Sequence, residues 1–490
     1  MAQPNILIIQ TDQHRWDCLG VTGNPDIRTP NVDAIANDGS TFEQSFCPYP
    51  VCTPSRYSFL TGLWVHQHLG WTNHCTIPNG MATFPRILRS AGYRTKAVGK
   101  MHLTPTYLDV GFDEMVLAEQ NGPGRYEDDY HRYLREEGLC DAVDLVDQER
   151  EYRSRAAGRY WDTFGSLVSD LDEAHHSSTW IGDRAVETLD AWEGDGNLLM
   201  ASFIKPHHPF DPPAPWDEMY DPAGLTLLPG WAERVDPEDV LFSKGYFPHS
   251  ALDERKLRRV MAHYYGSISH IDHHVGRMID SLRARGLYDK TLIVFNSDHG
   301  EYLGSHHMKG KGNRMYEPLV RVPLIVKWPG QTREGVRRDD LVNTIDLAPT
   351  LLNAAGCEVP DVMPGFDLRK ETPREVMFAE SGRGFEYMAR SRTHKLLMCE
   401  DSEFDRLYDL ENDPTERTNV FREKAHAEVR DELRDELMRW ALFDARTVAH
   451  LDEHAPVVAG RPDPDPRGKE WQSMYDYFAG KMEEAFEAGL

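Results

Sequence analysis

Five short apolar runs, at residues 6–9, 95–98, 198–204, 292–295 and 324–326, restrict the fold of this chain more than any other feature. Apart from Thr95, Lys96 and Ser202 their residues are apolar in succession rather than alternately, so both faces of the strands need cover. Helix-period patterns at 83–91, 181–192, 264–285 and 346–355 stand between them. Strands alternating with helices predict an α/β fold with a large mixed, mostly parallel sheet between helices.

The chain has 490 residues, enough for a large core and more than one domain. A composition shift at 360–373, "PDVMPGFDLRKETP", reads as a linker. The expected division is a catalytic domain over 1–370 and a smaller C-terminal α+β domain with an extended tail over 371–490. Within the second, 376–379 and 395–399 read as strands and 424–443 as a charged helix. The charged, aromatic stretch 119–176 reads as an insertion near the rim of a site. The Pro-rich, then aromatic tail is expected to pack on its own core or across a neighbouring subunit, which makes a homo-oligomer one outcome.

Lys and Arg total 54 against 80 Asp and Glu, a formal charge of -26, so the surface repels nucleic acid. No run of eighteen apolar residues suggests a membrane span. "MAQPNILIIQTDQ" lacks a basic n-region and reads as a first strand, which gives a cytoplasmic expectation. The seven cysteines are scattered, without a CxxC pair for zinc.

Polar chemistry gathers where the strands end. "QTDQ" brings Asp12 and Gln13, "GKMH" brings Lys100 and His102, "KPHHP" brings His207 and His208, and "NSDHG" brings Asp298 and His299. Ligands of parallel α/β sheets sit beyond the carboxyl ends of the strands. Singly, these residues read as caps or solvated side chains. Their recurrence at one edge does not. Two carboxylates, a carboxamide and an imidazole suit Ca²⁺, Mg²⁺ or Mn²⁺ better than zinc, and His299 leans toward Mn²⁺.

"CTPSR" sets Cys52 before an expected helix start, with Pro54 at a first helical position and Arg56 close by. An oxygen nucleophile at position 52 would sit between metal, helix N-terminus and guanidinium, all favouring its ionised form. The plainer reading is a thiol of low pKa.

"CTPSR" resembles the sulfatase signature Cys-x-Pro-Ser-Arg, whose cysteine is oxidised to formylglycine. "PNILIIQTDQ", "AGYRTKAVGKMHL", "KPHHPF", "NSDHGEYLG" and "RLYDLENDPTERTNV" extend the resemblance over most of the chain. It implies the alkaline-phosphatase-like sandwich of type I sulfatases and hydrolysis of aryl, alkyl or sugar sulfates. It implies one divalent metal ion, Ca²⁺ first and Mn²⁺ second, on Asp12, Gln13, Cys52, Asp298 and His299, although Gln13 stands where many members carry Asp. Cys52 would be the nucleophile and Arg56 would hold its hydrate. Lys100 and Lys311 would clamp sulfate, His102 would partner the formylglycine hydroxyl, and His207 would be the acid for the leaving oxygen. A formylglycine-generating or other sulfatase-maturing enzyme is the implied partner, with a small sulfated substrate. Asn73 and His74, the 119–176 stretch and "ESGRGFEY" are candidates to contact the leaving group. A phosphonate monoester or phosphodiester hydrolase of the same superfamily is the second reading. Lys100 and His102 argue against it, because those relatives carry neutral hydroxyl residues there. A non-catalytic binding homologue is the third, opposed by the retained polar set.

Overall fold

The computed structural model describes residues 3–78, 80–120, 125–242, 247–312, 314–330, 335–382, 384–444 and 469–490. Its strands, in chain order, are β1 (Asn5–Thr11), β2 (Ser40–Phe42), β3 (Ser45–Phe46), β4 (Arg94–Gly99), β5 (Glu114–Leu117), β6 (Asn197–Ser202), β7 (Thr291–Ser297), β8 (Leu324–Lys327), β9 (Val336–Arg338), β10 (Val342–Asn343), β11 (Met377–Ser381), β12 (Glu386–Arg390), β13 (His394–Cys399) and β14 (Arg406–Asp409). Eight of them form one sheet in the order β5-β4-β6-β1-β7-β8-β2-β9. β5, β4, β6, β1 and β7 run parallel, and β8 pairs antiparallel with both β7 and β2.

Both faces of the central strands are buried, which is why β1, β6, β7 and β8 are largely apolar, whereas β4 begins with exposed Arg94 and half-buried Lys96. Leu7 and Ile9 face a core shared with helices Ser177–Asp190 and Glu254–Ala284. Ile6 and Ile8 face another, built with Phe59, Leu88 and Leu351 from helices Cys52–Thr61, Phe84–Ser90 and Leu347–Ala354. β3 and β10 pair as a small parallel sheet, and the second large sheet is the antiparallel meander β11-β12-β13-β14, with helix Ala427–Arg439 against it.

Two expected boundaries move. The long helix begins at Glu254, ten residues before its apolar pattern becomes legible, because Asp253 caps it by accepting from Lys256 N at 2.8 Å. The charged helix expected over 424–443 is regular only over Ala427–Arg439. Beyond it, Trp440 stacks on Phe378 and meets Trp64 edge-on, clamping the helix end to β11.

The stretch 119–176 forms short helices, among them Asp129–Glu136 and Ala142–Gln148, and it buries Tyr130, Leu134, Val146 and Tyr160. Residues 121–124 lie outside the described set, as do 445–468 of the tail. The helix Lys469–Glu487 packs on this stretch: Met474, Phe478 and Met482 join its core, and Phe478 stacks on Tyr126 at 5.1 Å. The tail's described part therefore packs on its own chain. No helix among the described residues is long and apolar enough to cross a membrane.

Candidate active site

The parallel strands β4, β6, β1 and β7 are neighbours, so their carboxyl ends open on one edge of the sheet. Asp12 and Gln13 follow β1 and Asp298 and His299 follow β7; all four are buried. Gln13 adopts a left-handed backbone (φ 63°), turning the chain so that its amide donates to Asp298 Oδ1 at 3.1 Å.

Position 52 reaches this edge from below. The helix begins at Cys52 itself, with Val51 as its extended cap, so Pro54 is its third residue rather than its first. Proline is tolerated there because first-turn N–H groups have no helical partner to lose. Asn73 Oδ1 accepts from Thr53 N at 3.1 Å and satisfies one of those donors. Asn73 thus holds the first turn of the helix that carries Cys52. His74 is exposed, with no hydrogen bond from its ring to the cluster among the described residues.

Cys52 Sγ lies 3.6 Å from Asp12 Oδ1 and 3.3 Å from His299 Nε2, and it accepts from Lys311 Nζ at 2.8 Å. Burial, with Asp12 next, pushes this thiol up to about 11 despite Lys311 and Lys100. Burial thus disfavours the thiolate of the unmodified cysteine, against the plainer reading of the sequence.

Arg56 is expected to hold the hydrate of a matured position 52. Beside the unmodified cysteine its guanidinium braces the carboxylates, with Nε on Asp298 Oδ2 at 2.9 Å and Nη2 on Asp12 Oδ2 at 3.0 Å. Nη1 donates to Gln10 Oε1, Lys100 O and Ser202 Oγ at 3.0, 2.7 and 2.9 Å, joining three strand ends. Lys100 Nζ sits 2.8 Å from Asp12 Oδ2. Burial opposes ionisation of Asp12, but Lys100 and the other nearby cations hold it well below the usual carboxylate range.

Several observations fit a divalent ion at this point. Ligand atoms of Asp12, Cys52, Asp298 and His299 all lie within 4.8 Å of one another. His299 Nδ1 donates to Gly300 O at 2.9 Å, which leaves Nε2 with its lone pair toward Cys52, and burial keeps the ring neutral. Gln13 Nε2 donates to Glu301, which turns Oε1 the other way; that oxygen is buried without a partner among the described residues. Oxygen-rich donors with one imidazole fit a hard or borderline cation.

Three histidines, His102 and His207 buried and His208 half-buried, stand near the cluster. His207 Nδ1 donates to His208 O at 2.7 Å, and its Nε2 accepts from Lys311 Nζ at 2.9 Å. Burial and then Lys311 hold His207 well below its ordinary value, which favours the neutral ring. His208 stacks on His207 at 4.2 Å and is tied through Nδ1 to Asp147 at 2.5 Å, so it is not free to replace it. His102, with a left-handed backbone, is buried with both ring nitrogens unpartnered among the described residues. Its backbone is held by Glu119 Oε1, which accepts from Met101 N and His102 N at 3.0 and 2.9 Å.

Sequence reasoning missed Gln10, Glu119, Gln120, Asp147 and Glu301. Gln10 carried a faint signal as a polar residue inside an apolar strand. Asp147 and Gln120 lay in the stretch of weak periodicity, and only folding brings them to Lys100 and His208. Of "ESGRGFEY", Glu380 is buried against His66 at 2.9 Å, and residue 383 lies outside the described set.

A parallel sheet between helices, with a nucleophile position and acidic strand ends at its carboxyl edge, defines a hydrolase of the alkaline-phosphatase-like type. The chain belongs to the Sulfatase family, whose profile matches residues 4–357. It is 32% identical to an arylsulfatase of Clostridium perfringens over 89% of this chain and 94% of that one. It is 27% identical to the N-acetylglucosamine-6-O-sulfatase of Bacteroides thetaiotaomicron, over 88% and 85%. Its fold matches the phosphonate monoester hydrolase of Agrobacterium radiobacter with a TM-score of 0.75 at 24% identity, over 90% and 95%. The protein is a sulfatase, a hydrolase of sulfate esters. Its family implies a divalent metal and a formylglycine.

Proposed function

We propose that this protein hydrolyses aryl, alkyl or sugar sulfates at Cys52 matured to formylglycine. The observation that carries the reading is the position of Cys52 Sγ, at a helix N-terminus and within 3.6 Å of Asp12, His299 and Lys311. Hydrated formylglycine offers two hydroxyls on one carbon, one to attack sulfur and one whose deprotonation expels sulfate. A divalent ion held by Asp12, Gln13, Asp298, His299 and position 52 would supply positive charge to the attacking group and to a sulfate oxygen. Neutral donors at Gln13 and His299 keep Mn²⁺ beside Ca²⁺ as the ion.

The side chains supply the rest. Lys311 and Lys100 balance charge on the sulfuryl oxygens. His102, neutral because burial and Lys100 hold it well below its ordinary value, takes the proton of the second hydroxyl. His207 gives a proton to the leaving oxygen. Burial and Lys311 depress its basicity, so it becomes an acid only when the substrate's negative sulfate favours the imidazolium.

Maturation by a formylglycine-generating or related enzyme lowers the intact mass by about 18 Da. The test combines that mass with turnover. Cys52→Ala folds and is inactive, whereas matured wild type turns over a panel of sulfate esters. Near-normal activity of Cys52→Ala rules the reading out. A chelator stops turnover and lowers the melting temperature, and Ca²⁺ or Mn²⁺ restores both. Phosphonate monoester hydrolysis is the second reading, favoured by Gln13 and by His299 after Asp298. A higher kcat/KM for phosphonates than for every sulfate ester would select it.

A further inference from the structure

The seam between the two sheets holds a cavity of about 410 Å³, within the range of small-molecule sites. Its walls are the loop after β1 (Arg15, Asp17), the approach to β8 (Glu317, Arg321) and the end of β12 (Arg390, Arg392). None of these residues belongs to the catalytic cluster. Four guanidiniums against two carboxylates make a cationic hollow in a protein of formal charge -26.

The cations are not all neutralised from within. Arg15 is: it bonds Asp17 twice and also Tyr302 O and Pro229 O. Glu317, by contrast, is shared. Arg390 reaches it with two contacts of 3.3 Å, Lys395 lies 2.9 Å from it and Arg321 3.9 Å. Arg390 is 4% exposed, and its Nη1 has no hydrogen-bond partner among the described residues. Arg321 stacks 3.6 Å over the Trp16 ring, and its only other close acceptor among the described residues is Glu43 O at 2.7 Å. Burial lowers the pKa of Arg321, Glu317 only partly offsets this, and Arg390 adds to it. Arg392, on the exposed rim, is held to Asp339 at 3.2 Å. With Asp339 on Arg392 and Glu416 on Lys395 at 2.7 Å included, five cations face four carboxylates, and salt bridges that served only to join the sheets would not enclose so large a space. Guanidiniums with unused donors match the planar fork of an oxyanion.

We propose that this cavity is a second oxyanion site, separate from the catalytic centre, which binds a sulfate or carboxylate group. Two sources carry that chemistry: the free ion, which turnover releases, and a group on a saccharide-sized molecule that fills the remaining volume.

Full-length protein is titrated with sodium sulfate and, separately, with a disulfated disaccharide, by calorimetry and thermal shift. The same titrations on Lys311→Ala weaken the contribution of the catalytic centre; binding at the seam persists there. Arg321→Ala and the rim variant Arg392→Ala each weaken binding about tenfold, the loss of one charged hydrogen bond. Both keep turnover of nitrophenyl sulfate, which shows an intact fold and catalytic centre. Tighter binding of the disaccharide than of the ion identifies a carried group, and equal binding identifies the free ion. Loss of all binding in Lys311→Ala, or unchanged affinity in both arginine variants, overturns the proposal.

Discussion

His207 and Lys311 touch, yet the proposed mechanism gives them different bonds, and substitution separates them. An alkoxide needs its proton in the transition state, whereas nitrophenolate leaves largely unaided. His207→Ala therefore loses roughly 10²–10⁴-fold in kcat/KM on an alkyl or sugar sulfate and much less on nitrophenyl sulfate. Lys311→Ala acts on the sulfuryl group itself and loses evenly across leaving groups. A series of leaving-group pKa values reads both slopes; equal losses for His207→Ala would leave it a sulfate-binding residue. Glu119 gives a second prediction at this scale. Burial raises it from the ordinary 4.5 to about 7, although two backbone amides and Lys100 favour its charge. A carboxyl with a raised folded pKa contributes stability below about 4.5 and loses it as pH climbs to about 7. At about 1.4 kcal/mol per unit the loss is of the order of 3 kcal/mol. Glu119→Gln keeps the acceptor oxygen and cannot ionise, so its stability relative to wild type increases between pH 5 and pH 8. Urea denaturation at the two pH values measures this, and parallel curves would refute it.

Elements position these residues through their ends. β4 stops at Gly99, whose left-handed backbone (φ 92°) turns Lys100 into the site while Lys100 N donates to Ser202 O at 2.8 Å. A Cβ at Gly99 would lie 2.0 Å from that same oxygen. Gly99→Ala should therefore cost more than the ~1–3 kcal/mol of backbone strain alone and pull Lys100 off Asp12. A lowered denaturation midpoint together with a fall in kcat/KM for nitrophenyl sulfate is expected; a change in neither would show that the turn does not set Lys100. Asn73→Ala removes a cap from the nucleophile helix, with an expected loss of ~1 kcal/mol. The elements themselves were legible wherever apolar residues ran continuously, as in β1, β6 and β7. Boundaries were not, because a cap such as Val51 carries no side-chain signature and the polar first turns of Glu254–Ala284 hide its period.

At the scale of the whole molecule, the C-terminal helix Lys469–Glu487 covers the stretch that supplies Asp147 and Gln120 to the site. Deleting residues 469–490 uncovers Tyr126, Leu134 and Val146. The apolar side chains withdrawn, Met474, Phe478 and Met482, are each worth ~1.5–3 kcal/mol of burial. The truncated protein should melt several degrees lower and lose activity, with increased hydrogen exchange over 129–148; unchanged exchange there would place the helix outside the support of the site. The sequence by itself determined the sheet class and most of the strand-end chemistry, because continuous apolar runs must be buried on both faces and parallel strands must present their ends together. Only the tertiary structure decided that Arg56 braces the two carboxylates, that Asn73 caps a helix, and that Gln13 leaves one oxygen unpaired. It also decided that burial and Lys311 hold His207 below its ordinary value. Those properties depend on which partners are brought within about 3 Å and how far water is excluded, and partners 20 to 290 residues apart along the chain leave no local pattern to read.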